Sequence, residues 1–186
     1  MENRNTLVRT LHDLGAAAWF GGTLMGAIGL NGAAGKVSDE TERAPVASYG
    51  WGRWAPFNAV AIGAHLVGGA GLLLANRDRA ANQEGVRGNT VVKTLLTGAG
   101  LGLTAWSGVL GATVGKACKV PATGAVIPNA ATPDDVATAM KQLRLVQYAI
   151  PAVAGALIVL GAQQGEQQKP QEQLRGLGRF GRGQSS

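Results

Sequence analysis

One compact domain is what 186 residues allow, and the single cysteine, Cys118, excludes an intrachain disulfide and a CxxC metal or redox motif. A net charge of +6 and a pI near 10.0 would suggest nucleic acid as the partner of a soluble protein. Here the 17 lysines and arginines flank uncharged apolar runs instead, where lipid headgroups hold them, so a bilayer is expected and nucleic acid is not.

Mean hydropathy is only +0.09, but its distribution is decisive. A soluble helical bundle needs a polar stripe along each helix, and four stretches of this chain have almost none. Residues 1–13 read as a short polar lead-in, with His12 and Asp13 at the interface. Residues 14–35, LGAAAWFGGTLMGAIGLNGAAG, carry no charge and are long enough to cross a bilayer as one helix. The lipid core forces a helix there because every backbone amide must be satisfied internally. A cleavable leader is the competing reading, with Arg4 and Arg9 as its basic start and Gly32-Ala33-Ala34 as a cleavage site. The run exceeds the roughly 7–15 apolar residues of a leader, which favours the span. Gly22 and Gly26 form a GxxxG pair of the kind that lets helix backbones approach.

After a charged loop, Tyr49, Trp51 and Trp54 cluster before the second run and are expected at headgroup level. The second span covers residues 54–76, with Pro56 in its first turn, where a missing N–H does no harm. Its apolar side chains are sufficient to carry Asn58 and His65. A polar cytoplasmic connector leads to the third span, residues 94–115, which has further GxxxG pairs at Gly98/Gly102 and Gly111/Gly115. Thr104 and Ser107 at its middle are expected to bond carbonyls in the preceding turn. The connector over 116–144 is too broken by Pro121, Pro128 and Pro133 to span. Thr132-Pro133-Asp134-Asp135 then reads as a helix start with Thr132 as the cap. The fourth span is residues 145–164, with Pro151 predicting a kink, and residues 165–186 read as a disordered tail.

The fold expected is therefore all-α: a four-helix transmembrane bundle over residues 14–164 in the cytoplasmic membrane. Four spans put both termini on one side. Ten basic residues lie on the side of the termini and seven on the other, which places both termini in the cytoplasm.

His65 is the sharpest candidate, because an ionisable group inside a span is a functional hypothesis by default. It could ligate haem or a metal, relay protons or contact a polar substrate. The plainer alternative is a neutral imidazole bonded to Thr104, Ser107 or a carbonyl. Asn58 accompanies it as a second polar group of the same span. His12 is the only other histidine. Counted from the expected span ends, it lies on the order of 10–15 Å from the level of His65, which argues against a shared haem. Met25, Met140 and Cys118 show no copper-like spacing with either histidine. The four runs contain no Asp or Glu, and GxSxG, HExxH and P-loop patterns are absent. No catalytic residue and no cofactor is expected.

Leu11-His12 followed by Ala18-Trp19-Phe20-Gly21-Gly22 resembles the "LH…WFGG" opening of bacterial multi-span families such as the copper-resistance CopD-like membrane domains. That resemblance covers about a dozen residues and implies metal handling with His12 as the position to test. Taken together, these features lead us to expect a non-enzymatic multi-pass protein, an accessory or scaffold subunit acting through helix faces at Gly22, Gly26, Gly98, Gly102, Gly111 and Gly115. Its partners would be the bilayer and other membrane subunits or a second copy. The alternative is a small transporter, channel or ligand- or metal-binding protein built around His65, Asn58 and the Pro151 kink.

Overall fold

Helix formation does not stop where the apolar runs stop. The computed structural model describes residues 3–75, 84–117 and 119–167. In it α1 (Asn3–Met25) passes through a π turn (Gly26–Leu30) into the short α2 (Asn31–Ala34). Then follow α3 (Arg43–Ala75), α4 (Glu84–Lys116) and α5 (Asp134–Gln167), with a small hairpin of β1 (Ala122–Gly124) and β2 (Ile127–Pro128) before α5. The strands pair antiparallel. Cys118, the connector residues 76–83 and the tail from 168 onward lie outside the described residues.

The chain is mostly helical, and three helices are long and apolar enough to cross a membrane: α3, α4 over Gly88–Lys116, and α5 over Asp134–Gln163. The first apolar run is divided between α1, the π turn and α2. Several expected boundaries are corrected. The lead-in is helical from Asn3, the aromatic loop before Trp54 belongs to α3, and α4 begins at Glu84. An apolar run sets the depth of a helix in lipid, while its polar flanks are free to continue the same backbone ladder into water. Pro56 accordingly lies inside α3 and not in its first turn.

Thr132 does not cap α5. Its hydroxyl donates to Pro121 O at 2.7 Å and accepts from Asn129 N–H at 2.9 Å, tying the hairpin to the turn that leads into α5. The connector that proline punctuation breaks thus becomes a cap over one end of the helices. Arg43 holds that cap down: Nε donates to Val37 O at 2.8 Å, and Nη1 to Ala122 O at 3.0 Å and Thr123 O at 3.1 Å. A planar guanidinium suits three carbonyls in this way, whereas an ammonium would not. Beside it, the Asp39 carboxylate accepts from the Thr41 hydroxyl and N–H at 2.7 and 2.9 Å, which holds its carboxyl below the usual range. That turn is therefore firm at neutral pH and loosens only as pH falls through the lowered value.

In the packing order α3–α1–α5–α4, each helix lies along its neighbours, and α3 and α4 meet at only a few points. Trp19, Met140 and His65 are the largest fully buried side chains. The Trp19 ring sits so close to Gly100 of α4 that a side chain there would strike it. Two more tryptophans, from the aromatic cluster, pack on glycines of the first run. A Cβ on Gly22 would overlap the Trp54 ring, and one on Gly26 the Trp51 ring. Trp54 therefore clamps α3 onto α1 and Trp51 clamps it onto the π turn, while Tyr49 remains 74% exposed.

Candidate functional site: a polar cavity between two helices

The sparse contact between α3 and α4 leaves a cavity of about 360 Å³. Its walls come from α3, α4 and the first half of α5, Thr23 of α1 lies at its back, and Ala125 and Val126 of the hairpin close one end. Asn58 comes from α3 and Thr104 from α4, the two helices that barely touch. Both line the cavity, and Asn58 Oδ1, Thr104 Oγ1 and Trp54 Nε1 are buried with no hydrogen-bond partner. Asn58 is only 8% exposed. Thr104 was expected to bond a carbonyl of the preceding turn; its oxygen is unpartnered instead. Buried polar groups are paired almost without exception, and each orphan costs about 1–3 kcal/mol. Of the five such atoms among the described residues, which include Trp19 Nε1 and Asn89 Oδ1, three belong to residues that line this cavity, two on α3 and one on α4, a grouping that calls for a ligand or water.

The opposite end of the cavity wall is satisfied. Asn31, directly after the π turn, accepts from Trp51 Nε1 at 3.0 Å and donates to Gln147 Oε1 at 2.7 Å. This chain of bonds locks α2, α3 and α5 together, and π turns often accompany such functional positions. Thr23, also buried, donates to Trp19 O at 2.6 Å. Two helix prolines add a further feature. Pro56 withholds an N–H from the carbonyl of Gly52, and Pro151 from that of Gln147. Both Gly52 and Gln147 line the cavity.

The histidines are elsewhere, and they are together. His12 and His65 stack with ring centroids 4.0 Å apart and planes at 19°. His12 Nδ1–H donates to His65 O at 2.9 Å, and His65 Nδ1–H to His12 O at 3.0 Å. Carbonyls can only accept, so each ring carries a proton on Nδ1. The expected depth offset is absent. His12 lies nine residues into α1 and His65 ten residues before the end of α3, so the two antiparallel helices bring them level. Local twofold symmetry extends beyond the rings. A Cβ on Gly15 would strike Ala61 O and His65 N, and one on Gly68 would strike Val8 O and His12 N. Each glycine is three residues past its own histidine, so the pair marks the point where two backbones touch. Rings stacked face to face do not present themselves as two axial ligands of one haem. Among the described residues no three His, Cys, Asp or Glu side chains converge on a common point.

The structure also sorts the glycines expected to line helix contacts. Gly22 and Gly26 pack against tryptophan rings, and Gly115 approaches Ser48 at 3.8 Å. Gly98, Gly102 and Gly111 meet nothing within 4 Å, which corrects their assignment to contacts inside this chain. Gly111 lines the cavity, and Gly98 and Gly102 are exposed on α4. The close approaches that do exist, at Gly15, Gly68 and Gly100, were missed. They are not spaced as GxxxG pairs, and only the partner's position reveals them. Comparison of the chain with protein-family models, curated proteins and solved structures returns no match.

Proposed function

We propose that this is a non-enzymatic multi-pass protein of the cytoplasmic membrane that binds a small uncharged molecule in the cavity between α3 and α4. The chain would cross four times, the first span made of α1, the π turn and α2, and the excess of basic residues on the side of the termini supports a cytoplasmic position for both, with the hairpin cap outside. One observation carries the reading: Asn58 Oδ1, Thr104 Oγ1 and Trp54 Nε1 are buried without partners on residues that line the cavity. The site is thus centred on Asn58, and His65 serves the α1–α3 contact.

Solvent extraction and mass spectrometry of the purified protein test this reading. A stoichiometric small molecule accompanies the native chain and is lost from Asn58→Leu and Thr104→Val. Both variants remove an unpaired polar atom, so their thermal unfolding in detergent stays equal to the native value or rises by about 1 kcal/mol. Equal extracts from native and variant protein would count against ligand binding.

A second reading, an accessory subunit of a larger membrane assembly, is favoured by Gly98 and Gly102. They form a smooth exposed strip on α4 that no part of the described chain covers.

A further inference from the structure

The chemistry and the doorway of the cavity together restrict what fits it. Its lining contains no Asp, Glu, Lys, Arg or His, so a charged group would be stripped of water with no counter-charge. The unpartnered atoms ask for opposite things. Trp54 Nε1 only donates, Asn58 Oδ1 only accepts, and Thr104 Oγ1 does both. A ketone, ether or ester satisfies the tryptophan and leaves Asn58 alone. A hydroxyl satisfies both.

The doorway is lateral. The hairpin closes the end of the cavity, and α3 and α4 touch too little to close its side. Both edges of that gap are bare: a Cβ on Gly52, Gly108 or Gly111 would meet no atom within 4 Å. Beside lining residues along the same two helices, Phe57 is 65% and Val109 55% exposed, apolar surface of the kind hydrocarbon wets. A volume of about 360 Å³ is at the small end of ligand pockets. It holds a headgroup and the start of a chain, with the remainder left in the bilayer.

We infer that the cavity takes an uncharged, hydroxyl-headed lipid, a long-chain or polycyclic alcohol, which slides in from the bilayer between α3 and α4 and seats its hydroxyl among Asn58, Thr104 and Trp54. This inference rests on the proposal that the cavity is a binding site. The test uses the full chain in lipid nanodiscs with three photoprobes, each with its diazirine near the headgroup: hexadecanol, hexadecanoate of equal length, and a short water-soluble alcohol.

Hexadecanol should label residues 51–58 and 104–112 at least tenfold more in the native chain than in Gly111→Leu, which places a side chain at the gap where a Cβ meets no atom within 4 Å. Gly108→Leu serves as a second blocked doorway should Gly111→Leu unfold. Hexadecanoate should label these segments no more than in the blocked variants. Hexadecanol labelling that is equal in native and blocked proteins reflects ordinary bilayer contact and overturns the inference, as does a preference for hexadecanoate. Labelling by the short alcohol alone keeps the cavity as a binding site and overturns lipid access. If no probe marks the cavity and no extract differs, the binding proposal itself falls.

Discussion

Two histidines separated by 53 positions, each bonding the other's backbone, constitute a helix clamp of defined energetic size. His65→Leu removes one Nδ1–H bond and the ring stack, and His12→Leu removes the reciprocal bond and the same stack. Each should destabilise the protein by roughly 1–2 kcal/mol in detergent unfolding. The stack is shared, so the double variant should cost less than the sum of the singles by about 0.5–1.5 kcal/mol. A double-mutant cycle that is additive within about 0.3 kcal/mol would show that the stacking contributes nothing. Ligand retention at the α3–α4 cavity should be unaffected by either single substitution in protein that still folds, because neither histidine lines it.

At the scale of elements, the glycines separate two kinds of close approach. Gly68 lies where α1 and α3 touch backbone to backbone, and a Cβ there meets Val8 O and His12 N. Gly68→Ala should therefore cost about 3 kcal/mol, the upper end for overpacking, because the obstructing atoms are main chain and cannot rotate away. Gly98→Leu should change the unfolding midpoint of the isolated chain by no more than about 0.5 kcal/mol. In native membranes the same variant should lose any subunit that covers α4, and unchanged co-purification would count against the accessory reading. This contrast also marks what was legible beforehand. Uncharged runs reveal helices, because lipid leaves the backbone no alternative. The spacing Gly98–Gly102 shows that a helix face is smooth but not what it faces. His12 and His65 could not be placed level, because the apolar run fixes depth and not the point where α1 begins. Asn58 was visible as a polar group inside a span. Its unpartnered oxygen and its neighbour Thr104 became visible only once α3 and α4 were seen to stand apart. The hairpin had no readable signal, since strands of three and two residues are too short to show alternation.

For the whole molecule, the claim that matters is which side of the membrane carries the cap. The hairpin and the loop held by Arg43 close one end of the helices, while the N-terminus of α1 and the end of α5 lie together at the other. Ten basic residues on the side of the termini against seven at the capped side favour a cytoplasmic N-terminus. In a Cys118→Ser background, a membrane-impermeant maleimide applied to intact cells should label Ser38→Cys, an exposed loop position. It should label Gln184→Cys only after lysis. The reverse pattern would put the cap in the cytoplasm, and labelling of both before lysis would mean that the chain inserts in both orientations. Because the proposed doorway opens sideways into lipid, ligand access would survive either result, and only the compartment beneath the capped end would change.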